Sequence, residues 1–212
     1  MTSQEGRLRE AMVRFGQSLF LRGYGCGSSG NLSVRLEDGI LVTPTNSCLG
    51  MLEPERIAKL DPEGRHLAGD KPSKEAFLHL AIYDERPEDR AVVHLHATHS
   101  VAVSCLEGLD PADLLPPITA YYAMRIGRLP LVPYFRPGDL ALAEAVRGVA
   151  RDHHAMLLAN HGPVVSARAL DAAVYSAEEL EETAKLFLLL GERRYRCLDE
   201  AQLAELHEAF PN

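Results

Sequence analysis

The chain has 212 residues, 46% of them apolar and 25% charged, with a formal net charge of -8. That length is ample for a hydrophobic core in one domain or two small ones, and the acidic balance argues against a nucleic-acid binder, which needs a basic excess to meet phosphates. No window approaches the roughly 18 unbroken apolar residues of a membrane span, the polar start from Met1 to Glu10 lacks the layout of a signal peptide, and Cys26, Cys48, Cys105 and Cys197 show no Cys-x-x-Cys spacing. Reduced thiols in a cytoplasmic protein are expected, without a disulfide framework or zinc knuckle.

A helix is expected over 5–22, where Leu8, Met12, Phe15, Leu19 and Phe20 recur at helical spacing and Gly23 closes it. The glycine-rich loop Gly25-Cys26-Gly27-Ser28-Ser29-Gly30-Asn31 follows. Asp38-Gly39 predicts a hairpin of strands 32–36 and 40–43, and Asp61-Pro62-Glu63-Gly64 a second of 57–60 and 65–68. Lys71-Pro72-Ser73-Lys74-Glu75 opens a helix to residue 85, with Ser73 as N-cap and Phe77, Leu78, Ala81 and Ile82 facing inward. A strand over 91–97, a helix over 99–106 and a proline-rich connection over 110–119 come next. Strand 129–134, helix 140–151 begun by Gly138-Asp139, strand 155–159, a turn over 160–163 and strand 164–167 follow. A long helix spans 170–194, its Glu178, Glu179, Glu181 and Glu182 reading as a solvated face, and a helix over 199–210 capped by Asp199 closes the chain. Frequent hairpins without strict strand–helix alternation point to one α/β domain over 1–212, with a central, largely antiparallel sheet flanked by helices.

The run Ala91-Val92-Val93-His94-Leu95-His96-Ala97 carries two histidines one residue apart. Side chains on a strand alternate faces, so His94 and His96 point the same way. Two hydrogen-bonded core histidines fit the same spacing, which alone does not choose between metal and packing. The candidate third ligand is His161, in the turn Asn160-His161-Gly162-Pro163, and Glu75 is a candidate fourth. Three histidines leave an open position, as in catalytic zinc sites. His99 reads as a supporting residue that faces away, and His153, His154 and His207 as surface residues. The glycine-rich loop, Thr43-Pro44-Thr45-Asn46-Ser47, and Ser73-Lys74 each offer backbone N–H groups, hydroxyls or a cation to an anion. Each alone also fits an ordinary loop, and no Gly-Lys-Ser/Thr closes the first as in a Walker loop.

Together these stretches resemble the class II aldolase/adducin family. Gly30-Asn31-Leu32-Ser33 is similar to its Gly-Asn-x-Ser signature, Leu41-Val42-Thr43-Pro44-Thr45 to its second phosphate loop, and Lys71-Pro72-Ser73-Lys74-Glu75 to the segment of its catalytic glutamate. His94-Leu95-His96 and Asn160-His161-Gly162 resemble its metal motifs, in the same order along the chain. The resemblance implies one zinc per chain, or another divalent metal, held by His94, His96 and His161. It implies Glu75 as acid/base and as a further metal ligand, and phosphate near Gly30, Asn31, Thr45, Asn46, Ser73 and Lys74. It also implies a homotetramer with sites near subunit interfaces.

Asn46 and Lys74 depart from L-fuculose-phosphate aldolase, which the resemblance gives a glycine and a serine there. Thr43-Pro44-Thr45-Asn46-Ser47-Cys48-Leu49-Gly50, Lys74, Thr98-His99-Ser100 and the run 121–128 resemble the family's phosphorylated sugar-acid decarboxylases instead. That branch implies loss of carbon dioxide from a 3-oxo-tetronate 4-phosphate through a zinc-stabilised enediolate, giving dihydroxyacetone phosphate. Tyr121 or Tyr122 is a candidate second acid, and Arg125 and Arg128 are candidate carboxylate contacts. A sugar-phosphate aldolase and an L-ribulose-5-phosphate 4-epimerase-like enzyme are the alternatives. A non-catalytic scaffold like the adducin head domain would lack the metal ligands that this chain retains. No nucleic-acid or membrane partner is expected.

Overall fold

Asp38 and Gly39 reverse the chain, so β1 (Asn31–Leu36) and β2 (Gly39–Val42) pair antiparallel, with Ser33 opposite Val42. In the computed structural model, which describes residues 3–136 and 138–210, that hairpin belongs to an eight-stranded sheet. The two ends of the expected 1–212 domain lie outside the described residues. The other strands are β3 (Ala58–Leu60), β4 (His66–Ala68), β5 (Ala91–His94), β6 (Leu131–Val132), β7 (Ala155–Leu158) and β8 (Gly162–Ala167). Their order is β4-β3-β2-β1-β5-β8-β7-β6, and every pairing is antiparallel except β6 with β7.

Seven α-helices among the described residues flank the sheet: α1 (Gln4–Leu21), α2 (Ala76–Glu85), α3 (Thr98–Ser104), α4 (Ala120–Arg125), α5 (Ala141–Ala150), α6 (Leu170–Leu190) and α7 (Glu200–Ala209). Strand alternation divides the core in two. Leu32, Val34, Ala91, Val93 and Val165 pack with Met12, Leu19, Val103, Val174 and Leu180 on the face of α1, α3 and α6. Ile40, Val42, Val92 and Val164 pack with Leu78, Ile82, Leu142 and Val146 on the face of α2 and α5. Each of these buried valines, leucines, isoleucines and methionines contributes about 1.5–3 kcal/mol relative to exposure. The expected architecture of a largely antiparallel sheet between helices is what the chain adopts. No described helix is long and apolar enough to cross a membrane.

Several local expectations change. The strand expected over 91–97 ends at His94, because β1 and β8 both pair with it only that far. The strand expected over 129–134 shrinks to Leu131–Val132, and the long helix stops at Leu190, where Gly191 turns with φ 54°. Ser73 is not the N-cap of α2: Glu75 holds that position, and the Ser73 hydroxyl accepts from the Glu75 N–H at 3.2 Å. Helix α4 was not expected; Thr119 caps it by accepting from the Tyr122 N–H. Asp199 caps α7 as expected, in a capping box with Gln202. The acidic face of α6 is only partly solvated, because Glu181 is buried. Its carboxylate accepts from both N–H groups at the start of α3, from the His99 ring and from the Ser100 hydroxyl, at 2.7–2.9 Å. His154 is half-buried rather than on the surface, its Nε2 donating to the Arg125 carbonyl at 2.8 Å; His207 is exposed.

The β7–β8 hairpin presses against the end of β5 through Gly162. A Cβ there would stand 2.3 Å from the Leu95 carbonyl oxygen, at φ 151°. Gly162→Ala should therefore destabilise the fold by more than about 1 kcal/mol, read as a fall in the urea midpoint; an unchanged midpoint would refute this account of the close approach.

Candidate metal centre

His94 is the last residue of β5, wholly buried, on the face covered by α2. In register it lies opposite Asn31 on β1 and Val164 on β8. Gly30, at φ 78°, lets β1 approach: a Cβ there would lie 2.9 Å from the His94 carbonyl. The His94 Nδ1–H donates to the Pro163 carbonyl at 2.9 Å, so its Nε2 carries a lone pair. Burial pushes His94 down to about 3, which keeps the ring neutral and able to ligate at pH 7. Burial also lowers His96.

His96 follows two residues later, and His161 comes from the β7–β8 loop, where Asn160 at φ 55° and Gly162 turn the chain. The three Nε2 atoms form a triangle with sides of 3.1, 3.2 and 3.3 Å. The rings stand 62–88° apart, so their edges converge instead of stacking. Nitrogens at about 2.0–2.1 Å from a tetrahedral ion would be about 3.3 Å apart, which is the spacing found. Glu75 closes the cluster from the N-cap of α2, with Oε1 3.2 Å from His161 Nε2 and Oε2 3.5 Å from His94 Nε2. Burial opposes its charge, but His161, the field of His94 and a hydrogen bond from Asn31 hold its carboxyl well below the usual carboxylate range. The four residues offer ligand atoms all within 4.8 Å of one another and can hold a metal ion.

Two clefts meet at His96. One, of about 220 Å³, is lined by Gly30, Asn31, Thr45, Asn46, Ser73, Lys74 and Glu75 together with Ser28, Ser29, Pro44, His96 and Gly138. All six residues expected to meet phosphate therefore line one cavity. Backbone bonds from Thr45 N–H to the Lys71 carbonyl and from Ser73 N–H to the Thr43 carbonyl hold its two hydroxyl-bearing loops together. The other cleft, of about 520 Å³, is lined by His96, Thr98, Val101, Tyr134, Phe135, Asn160 and His161.

The remaining candidates lie elsewhere in this chain. Tyr122 is buried, its hydroxyl donating to the Leu115 carbonyl at 3.4 Å. Tyr121 and Arg125 line a separate surface depression with Tyr24, Tyr175 and three glutamates of α6; Arg128 is exposed. His99 faces away from the cluster, onto Glu181, and steadies the start of α3 just beyond His96. Sequence reasoning passed over His79. It is buried on α2, where burial pushes it down to about 4, and it contacts Asn31 and Ser33. Its place four residues after Glu75, on the inward helix face, was the available signal.

Purified protein should hold about one divalent ion per chain, and His96→Ala should hold far less, by elemental analysis; equal metal in both would remove His96 from the ligand set. His79 also makes stability depend on pH. Its folded value of about 4 lies below the ordinary 6.5, so the unfolded chain binds the extra proton in that window. Its contribution is complete above the upper limit and lost as pH falls toward the lower one. The urea midpoint of metal-stripped protein should drop across that range, and less so in His79→Gln.

The chain is 54% identical over 203 residues to the 3-oxo-tetronate 4-phosphate decarboxylase of Escherichia coli O6:H1, covering 95% of this chain and 96% of that one. It is 37% identical over 181 residues to the L-fuculose phosphate aldolase of Methanocaldococcus jannaschii, covering 85% and 96%. The crystal structure of YgbL from Escherichia coli superposes with a TM-score of 0.94 at 51% identity, over 96% of this chain and 99% of the other. The family model described as Class II Aldolase and Adducin N-terminal domain matches residues 10–188. With a sheet that brings three histidines and a glutamate beside a cleft lined by hydroxyls, amides and a lysine, the chain belongs to the class II aldolase and adducin N-terminal domain family.

Proposed function

We propose that the chain is a zinc-dependent carboxy-lyase that converts a 3-oxo-tetronate 4-phosphate to dihydroxyacetone phosphate and carbon dioxide. One observation carries the reading: the cleft with the phosphate-type lining opens directly onto Glu75 and His96, so a short phosphorylated acid anchored there reaches the cluster. The relative named for this decarboxylation is 54% identical, against 37% for the aldolase.

In this reading, Lys74 at the helix start and the hydroxyls of Thr45 and Ser73 hold the 4-phosphate, with Gly30, Asn31 and Asn46 beside them. The anchor sets the angle at which carbons 2 and 3 meet Glu75. The ion, when bound by His94, His96 and His161, supplies fixed positive charge where the C3 oxygen gains electrons. Breaking the bond between C1 and C2 sends its electron pair toward the C3 ketone and releases carbon dioxide. Glu75, ionised in the free site, takes a proton from water and passes it to C2, which becomes the hydroxymethyl carbon of the product. Its half-buried position against His161 and Asn31 holds that carboxyl at one place.

The second cleft suits the departing carboxylate. Among the described residues that line it there is no lysine or arginine, and Val101, Tyr134 and Phe135 form an apolar wall. Such a wall solvates a carboxylate poorly and neutral carbon dioxide well. The reading extends to the whole chain, 1–212, as one domain: beyond the family match, Leu198 N–H donates to the Pro117 carbonyl and α7 packs against α4. It also includes a cytoplasmic location and a homotetramer. Tyr121, Arg125 and Arg128 enter it only if a neighbouring copy lies near the site.

The deciding assay offers purified protein a 3-oxo-tetronate 4-phosphate and, separately, L-fuculose 1-phosphate. Carbon dioxide and dihydroxyacetone phosphate should appear in equal amounts from the first, with little aldehyde from the second. Faster cleavage of the second would replace this reading with an aldolase. Glu75→Gln should lower kcat by about 100-fold or more, and near-normal turnover would remove Glu75 from the proton transfer.

A further inference from the structure

Behind Glu75 lies a buried chain of hydrogen bonds. His79 sits one turn along α2 and is wholly buried. A neutral imidazole there needs a partner at each nitrogen. Its Nε2 lies 2.5 Å from Asn31 Oδ1, and its Nδ1 lies 2.7 Å from Ser33 Oγ. Asn31 and Ser33 are alternate residues of β1 and share the face under α2. The Ser33 hydroxyl is 2.8 Å from the Tyr83 hydroxyl, one turn further along α2. At the other end, the Asn31 Nδ2 group donates to Glu75 Oε2 at 2.7 Å.

The partners dictate which way each bond runs. An ionised Glu75 only accepts, so Asn31 turns its NH₂ toward Glu75 and its carbonyl toward His79. His79 then carries its proton on Nε2 and accepts at Nδ1. Ser33 donates to Nδ1, and Tyr83 donates to Ser33. Every proton in the chain points toward Glu75. The other tautomer would set the His79 Nε2 lone pair against the Asn31 carbonyl. A flipped amide would instead set that carbonyl against the Glu75 carboxylate. Either way, two acceptors would touch in a buried place with no hydrogen between them.

We propose that His79 is a positioning residue: its Nε2–H holds the Asn31 carboxamide so that one NH₂ group serves both the Glu75 carboxylate and the anion cleft. Asn31 lines that cleft, so its second amide hydrogen is the one an incoming substrate oxygen can take. Aim of the proton-transfer group and reception of the substrate then depend on one amide. Ser33 and Tyr83 act by setting the tautomer. The proposal rests on Glu75 as the proton-transfer group of the carboxy-lyase.

Two substitutions separate positioning from space-filling. In His79→Asn the amide reaches only as far as Nδ1 and no donor meets Asn31, whereas His79→Gln places an NH₂ near the Nε2 position. His79→Asn should lower kcat about 10–100-fold, with a smaller rise in KM and metal content unchanged. His79→Gln should recover most of that loss. Equal losses in both variants, in step with metal content and thermal midpoint, would overturn the proposal in favour of a packing role. Independently, long-range ¹H–¹⁵N spectra of the zinc-loaded wild-type protein should show His79 protonated at Nε2, and a proton on Nδ1 would overturn it. The spectrum needs no substrate. A chain that releases no carbon dioxide would overturn the carboxy-lyase reading, while the position of the His79 proton would still uphold or overturn the tautomer assignment.

Discussion

The site depends on one hydrogen bond in the middle of the sheet, from the His94 ring to the Pro163 carbonyl. Because β5 lies between β1 and β8, His94 is clamped on both sides, with Asn31 and Val164 as its neighbours in register. The bond fixes which nitrogen carries the proton and aims the other out of the sheet. Pro163 is the second residue of β8, the hairpin strand that follows His161, so the same contact sets the third histidine relative to the first. Leu95 N–H donates to the same carbonyl at 3.2 Å, tying the segment between the two strand histidines to that hairpin.

Around this anchor the protein holds three imidazoles beside a single carboxylate. Three ring nitrogens converging within 3.3 Å are poor partners for one another, because a hydrogen bond needs a proton on one of each pair and His94 turns only a lone pair toward the others. A cation would resolve that conflict, and Glu75 would balance part of its charge. The surroundings are accordingly well partnered. No buried side-chain nitrogen or oxygen among the described residues lacks a hydrogen-bond partner. Glu181 meets four donors at the start of α3, just beyond His96, and a negative group there also suits the helix dipole.

Much of this was legible from the residues in order. Asp38-Gly39 announced a hairpin, and Asp199 announced a cap, because both act through backbone geometry within a few residues. His94 and His96 announced a shared direction, which survives although His96 lies beyond the end of β5. Less legible were features set by distant partners. Glu181 looked like one of four solvated acids, and only the approach of α3 shows that it is a buried acceptor. His79 drew no reading from the sequence, and only β1 supplies the Asn31 and Ser33 that it meets. Helix α4 escaped notice because six residues after a proline-rich stretch carry little periodicity.

The sequence by itself determined the alternation of hairpins and helices, the donor types of the cluster and the small, hydroxyl-bearing loops that line one cleft. These follow from local spacing, turn chemistry and side-chain identity, which need no knowledge of neighbours. The tertiary structure decided that residues as far apart as Asn31, Glu75, His94 and His161 share one cavity. It also decided which polar side chains face one another beside Glu75. A hydrogen bond has a donor and an acceptor, and in this chain the two were separated by 44 residues between Asn31 and Glu75 and by 69 between His94 and Pro163. Only packing α2 and the β7–β8 hairpin against the same sheet brings them within reach.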